Sequence, residues 1–222
     1  FVRADGGVRI SLARVGARTA PFTIAESGGY RVRFPRSPAG CEGVLINTGG
    51  GMTGGDRMCI DLSMGEDAAA VMTSQAAEKI YRSQGLDVDV AIGLRLAAGS
   101  RLDWLPQEQI LFDKARFARK LDVDMAPDAR LTLVESVFFG RAASGEDLSE
   151  AHFADRWRIR RGGRLVFAED VRLQGAVASL LARRGVGAGA RACATFLHVA
   201  PDAAARLDEA RAHLSEAGSE CG

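Results

Sequence analysis

Alternation of period two runs through most of this chain and restricts it to strand-dominated architectures. Val8, Ile10 and Leu12, then Val88, Val90, Ile92, Leu94 and Leu96, then Leu121, Val123 and Met125, each place apolar side chains on one face of an extended segment. Turn signals such as Gly6-Gly7, Ser27-Gly28-Gly29, Pro35 to Gly40 and Gly162-Gly163 separate the runs. Many strands of modest length predict a mainly β fold of stacked or sandwich-like sheets. The spacing is irregular and no fixed period recurs, which argues against a regular solenoid or propeller. One or two helices are expected near the C-terminal end. Pro201 to Ala217 carries Leu207, Ala210 and Leu214 on one stripe with Gly218 as a stop, and weaker helical patterns run from Ala176 to Arg184 and from Gln75 to Ser83. At 222 residues with no linker, a single domain over 1–222 is expected.

Carboxylates occupy positions that this alternation reserves for apolar side chains. Asp56 lies in register with Met58, Ile60, Leu62 and Met64. Glu135 shares the face of Leu131, Leu133 and Val137, and Glu169 that of Leu165, Phe167, Val171 and Leu173. Asp155 follows the same rule with Phe153, Trp157 and Ile159. A carboxylate removed from water must be protonated, hydrogen-bonded, paired with a cation or bound to a metal. The structural reading is pairing with an arginine or capping of a turn, the latter suiting Asp56 at a strand start. The functional reading is an acid-lined interior route, because carboxylates bind hard or borderline divalent ions less tightly than a thiolate cage and so suit transfer better than storage.

Other chemistries find little support. The 29 basic and 28 acidic side chains leave a net charge of +1, so neither nucleic acid nor an anionic membrane is implied, and 26 of the basic residues are arginines spread along the chain. Cys41, Cys59, Cys193 and Cys221 form no C-x-x-C pair, which fits reduced thiols and a cytoplasmic location. No run of 18 apolar residues and no basic-then-apolar leader is present. His152, His198 and His213 are scattered, and no nucleophile elbow occurs. Gly49, Gly51 and Gly54 match G-x-G-x-x-G literally, but an alternating strand follows where a dinucleotide site needs a helix, and no Lys-Ser or Lys-Thr ends the run as in a P-loop. The glycines Gly49, Gly50, Gly51, Gly54 and Gly55 therefore read as a tight loop or a place of close approach.

Four blocks carry a family resemblance: the loop Gly49 to Asp56; Thr73 to Ser83, with Gln75, Lys79, Tyr81 and Arg82; Asp103 to Glu108, with Trp104 and Pro106, followed by Ile110 and Phe112; and Glu135 to Arg141. In order and spacing they resemble the urease accessory protein family UreD, also called UreH. The resemblance implies a maturation factor that is not an enzyme. It also implies binding to apo-urease and UreF, to the nickel-carrying GTPase UreG through UreF, dimeric within the accessory complex in one arrangement, and passage of nickel in transit with no permanently bound cofactor. It places family acids on Asp56, Glu135 and Glu169, whereas many relatives have a small hydroxyl residue where Glu78 stands, so no role is carried to Glu78. Relatives often have two prolines before the glycines where this chain has Asn47-Thr48-Gly49. They also continue for several strands beyond Ser219 to Gly222, and this chain begins at Phe1, so it is expected to lack native N-terminal residues and C-terminal strands. Two rival readings stay open: a carboxylate-pair hydrolase, which needs two acids roughly 5–10 Å apart around a cleft, and a plain interaction module whose inward acids are paired with arginines.

Overall fold

The computed structural model describes residues 3–38, 40–141 and 144–216. Seventeen strands and two helices are named here in chain order: β1 (Asp5–Val15), β2 (Arg18–Ser27), β3 (Tyr30–Arg33), β4 (Arg36–Ser37), β5 (Gly40–Asn47) and β6 (Arg57–Met64). There follow β7 (Ala69–Ser74), β8 (Glu78–Ile80), β9 (Val88–Leu96), β10 (Arg101–Leu105), β11 (Gln109–Leu111) and β12 (Arg116–Met125). The chain ends with β13 (Arg130–Arg141), β14 (Glu146–Asp147), β15 (Ala151–Arg161), β16 (Arg164–Gly175), α1 (Val177–Leu181), β17 (Ala192–Val199) and α2 (Leu207–Glu216).

Two sheets face each other. The first has the order β16-β15-β12-β9-β6-β1-β2 and the second β3-β5-β7-β10-β13-β11-β8, with β17 antiparallel to β13. Within the first sheet β1, β6, β9, β12 and β15 are all parallel, flanked by antiparallel β2 and β16. The parallel strands are reached by alternating between layers, from β5 to β6, β7 to β9, β10 to β12 and β13 to β15. The chain thus winds coil upon coil around one core. This winding corrects the argument against a solenoid: successive coils carry connections of unequal length, so stacked geometry exists without a sequence period.

Alternation explains the layers. β9 buries Val88, Val90, Ile92, Leu94 and Leu96 and turns Asp89, Ala91 and Arg95 to solvent. The same rule sends Phe117, Leu121 and Val123 of β12 inward against Trp104, Leu131 and Leu133 of the second sheet. Each such side chain contributes about 1.5–3 kcal/mol by leaving water. Parallel strands are usually covered on both faces by helices; here the outer face of the first sheet carries alternating arginines and aspartates, such as Arg9, Asp61 and Arg95, in ion pairs.

The helical expectations divide. α1 and α2 fall within the two C-terminal segments assigned to helix, although a 3₁₀ turn over Ala203–Arg206 precedes α2, and Gly218 and Cys221 lie outside the described residues. The apolar stripe of α2 does not reach the core, since Leu207 and Leu214 are exposed. The third segment is corrected. Gln75 to Ala77 are irregular and Glu78–Ile80 form β8, parallel to β11, because ladder pairing and burial of Ile80 outweigh the helical tendency of the alanine pair.

Close approach of β1 to β6 requires Gly7, where a Cβ would stand 1.8 Å from the Cys59 carbonyl oxygen. Gly7→Ala is expected to destabilise the fold by about 1–3 kcal/mol. Gly16→Ala, in an open turn at φ +60°, is expected to lose only about 1 kcal/mol from its left-handed backbone. Urea denaturation of the two variants checks the contrast.

Candidate functional site

Arg119 lies at the centre of the interior. It sits two residues before Leu121 on β12, so the alternation that buries Phe117 and Leu121 carries a guanidinium into the core with 2% of its side chain exposed. Its Nε donates to Asp155 Oδ1 at 2.9 Å and its terminal nitrogens reach Asp155 Oδ2, Gln109 Oε1 and Glu135 Oε2. Asp155 is the direct cross-strand neighbour on β15, whereas Gln109 and Glu135 belong to the second sheet, so one side chain ties the two layers together. Indole N–H groups complete the carboxylates: Trp104 Nε1 donates to Glu135 Oε1 and Trp157 Nε1 to Asp155 Oδ1, each at 2.9 Å. Burial alone would lower the Arg119 pKa, but Glu135 and Asp155 outweigh it and raise the value further, so the cation is permanent.

A cavity of about 230 Å³ lies beside this cluster, between the sheets. Val8, Ile60, Val90 and Phe117 wall it from the first sheet, and Tyr30, Trp104, Gln109 and Glu135 from the second. Its exposed rim includes Gly50, Gln75, Lys79 and Gln107. The opening arises where the second sheet splits: β7 gives way to β8 through residues 75–77, and β10 to β11 through 106–108, while β13 runs unbroken past both. The blocks Gly49 to Asp56, Thr73 to Ser83 and Asp103 to Glu108 meet at this split, and Glu135 begins the fourth.

The glycine loop is fitted to its neighbours. A Cβ at Gly51, whose φ is +144°, would stand 2.5 Å from the Tyr81 ring, and one at Gly54 would stand 1.9 Å from Ser83 Oγ. Tyr81 donates to the Gly50 carbonyl at 3.2 Å, packs edge-on against Phe112 with centroids 4.8 Å apart, and Arg141 lies 4.2 Å over that same Phe112 ring. Structural loop and close approach are here one arrangement. Among the other family positions, Gln75, Lys79 and Pro106 line the cavity, Arg82 bridges to Ala115, and the Glu108 carbonyl accepts from the Glu78 N–H.

The three inward acids have three different surroundings. Asp56 is buried but lies outside the cavity lining; its carboxylate accepts the backbone N–H of Ala4 at 2.9 Å and of Thr53 at 2.7 Å, so it caps the turn that ends the glycine loop. Glu135 is buried on the cavity wall with both oxygens engaged. Glu169 faces inward opposite Trp157, but β16 is an edge strand and its neighbours Leu165 and Val171 are exposed, which corrects the expectation of a fully buried place. Partial burial raises the Glu169 pKa, Asp155 adds to this, and Arg119 opposes it. Of the three, only Glu135 thus lies on the cavity wall beside Arg119, while Asp56 and Glu169 both lie outside the cavity lining. Among the described residues no group of three or more His, Cys, Asp and Glu side chains could hold a metal, and Cys41, Cys59 and Cys193 are free.

Three further participants, Arg119, Glu78 and Tyr30, have no role in the sequence reading. Arg119 could have been found by counting back two from Leu121. Glu78, on the cavity wall, accepts Asn47 Nδ2–H at 2.9 Å, and burial pushes its pKa from 4.5 up to about 7 with that hydrogen bond opposing. Tyr30, 3% exposed, also lines the cavity and has a buried hydroxyl with no hydrogen-bond partner among the described residues. Burial first, then Glu78, Asp56 and Asp5, raise its pKa, so it stays a neutral phenol.

A family model described as UreD urease accessory protein matches residues 4–222. Urease accessory protein UreD 1 of Methylobacterium radiotolerans is 51% identical over 219 residues, covering 98% of this chain and 76% of that protein. Urease accessory protein UreD of Azorhizobium caulinodans is 47% identical over 222 residues, covering 99% of this chain and 82% of that protein.

Removal of the guanidinium should be costly. Arg119→Met is expected to lose about 3–5 kcal/mol of stability, because two carboxylates are left buried without their cation, and chemical denaturation measures it. Glu78 gives a pH signature of known sign. Its folded-state pKa lies above the unfolded value, so both states are protonated at low pH, stability falls as pH rises from 4.5 toward about 7, and the penalty is constant above that. Glu78→Gln is therefore expected to match the native chain at about pH 4 and to exceed it by about 3 kcal/mol at about pH 8.5, as read from unfolding midpoints at the two pH values.

Proposed function

The chain belongs to the UreD family of urease accessory proteins, and from that premise we propose that it supports urease maturation as a scaffold that passes Ni²⁺ toward the urease active site. It is an accessory protein rather than an enzyme. In this reading it binds apo-urease and UreF, engages UreG through UreF, and conducts nickel through the cavity between its sheets. The observation that carries the reading is convergence: the segments that bear the family resemblance meet around one cavity whose inner wall holds Glu135. Glu135 lies on the ion's course beside Arg119, and Glu169, outside the cavity lining, extends it beyond Asp155. Asp56 contributes by fixing the glycine loop at the mouth.

The charge arithmetic supports a cation path. Arg119 carries one positive charge between Glu135 and Asp155, so the cluster has a formal excess of one carboxylate, and Glu169 adds another beyond it. An interior of this sign lowers the energy of a divalent ion without a cage that would trap it. Exposed aromatic side chains support the scaffold role: Phe22 is 81% exposed, and Phe138 and Phe196 on β13 and β17 are about half exposed. No helix among the described residues is long and apolar enough to cross a membrane.

The rival readings lose their footing on specific contacts. A hydrolase needs one carboxylate free as acid and another as base or nucleophile, but Glu135 and Asp155 are held by the same guanidinium. An interaction module with arginine-paired acids fits Glu135 and Asp155 but not Asp56 or Glu169, neither of which has an arginine ion-pair partner among the described residues.

The passage is tested by emptying the interior of charge while keeping it filled. A triple variant, Arg119→Met with Glu135→Gln and Asp155→Asn, replaces the network by neutral groups of similar volume, an exchange that buried ion clusters tolerate. We expect it to co-purify with UreF and apo-urease yet to leave urease nickel-poor and inactive in cells. Full activation with normal nickel content contradicts the passage, and loss of the complex contradicts the scaffold.

A further inference from the structure

We propose that Glu78, Tyr30 and Asn47 form a cation subsite at the mouth of the cavity, where the Glu78 carboxylate holds a partly hydrated divalent ion and the Tyr30 hydroxyl accepts a hydrogen bond from one of its waters. This rests on the passage reading and gives the passage its first stop.

The acids on the cavity wall differ in what they have left to offer. Glu135 has one oxygen on Arg119 and the other on Trp104, so an arriving cation meets a carboxylate already neutralised by a permanent positive charge. Glu78 has one neutral partner, the Asn47 amide. Two cations share the cavity lining without an ion pair to Glu78 among the described residues: Arg31 donates to the carbonyls of Gly28 and Tyr30 and faces Glu26 at 3.7 Å, while Lys79, next along β8, is exposed at the rim. Glu78 is thus a half-buried acid on the cavity wall with no ion-pair partner among the described residues, held at an energetic disadvantage that an incoming cation would relieve.

Tyr30 supplies the second, independent observation. It is the cross-strand neighbour of Asn47 in the β3–β5 pair, and Asn47 in turn reaches Glu78, so strand register brings the three side chains to one end of the cavity. Its hydroxyl is buried on the cavity wall without a hydrogen-bond partner among the described residues. A cation-bound water is a strong donor and satisfies that oxygen. The space suffices, since a water occupies about 30 Å³ of liquid volume and the cavity offers about 230 Å³. One carboxylate with neutral oxygen partners binds weakly, as a stop on a path requires.

Isothermal titration of the full chain with Ni²⁺ as the chloride tests the subsite. We expect one interior site whose affinity falls about tenfold or more in Glu78→Gln and about tenfold in Tyr30→Phe. Asp124→Asn, on the exposed outer face, should leave it unchanged. Glu78→Ser serves as a second variant should Glu78→Gln fail to fold. Wild-type affinity in either Glu78 variant, unchanged affinity in Tyr30→Phe, or no binding by the native chain overturns the subsite. Failure here, alongside nickel-poor urease from the triple interior variant, overturns the subsite and leaves the passage standing.

Discussion

One buried cation organises this molecule. Arg119 is anchored on β12 in the first sheet and grips Glu135 and Gln109 in the second, with Asp155 at its side. In a core otherwise built of aliphatic and aromatic side chains, this is where the layers are held by directional bonds instead of by contact area. Directional bonds fix relative position in a way that apolar packing alone does not, because every lost partner leaves a desolvated charge. The two tryptophans that donate to its carboxylates are themselves large fillers of the core, so packing and polarity fix the same geometry.

The cavity follows from that anchoring. Where the second sheet divides around residues 75–77 and 106–108, the layers could close only by bringing apolar walls against the polar cluster. The guanidinium and its partners instead keep a polar floor beside an apolar chamber. The glycine loop, fixed by the Asp56 cap and pressed onto Tyr81 and Ser83, frames the opening. Fold, opening and charge are therefore one problem with one solution, and the similarity to urease accessory proteins, which runs over residues 4–222, includes the residues that solve it.

Much of this was legible from alternation. The inward register of Asp56, Glu135 and Glu169 followed from period two, and the strands that carry them are present. Their environments were not legible, because burial depends on which strand lies at an edge and on who stands across the layer. Glu169 has the right face but the wrong strand for full burial, and Asp56 has the right depth but backbone partners. The parallel coil-on-coil winding left no repeat because the connections differ in length. Gln75 to Ser83 reads as a weak helix when its partner β11 is unseen. Arg119 stands in plain register two residues before Leu121, but its partners Gln109 and Glu135 lie across the layer, and the sequence alone does not bring them to it. The resemblance carried no role to Glu78, and its surroundings, the Asn47 amide and the buried Tyr30 hydroxyl, come together only in three dimensions.

In the proposed passage, uncompensated carboxylate in the chamber beside Arg119 is where a divalent ion rests. Anomalous diffraction at the nickel edge from crystals of the chain soaked in Ni²⁺ addresses it directly. The expected result is an anomalous peak inside the chamber, next to the Glu78 carboxylate and within one water of the Tyr30 hydroxyl. Nickel found only on surface side chains, with the chamber empty of anomalous signal, would contradict it.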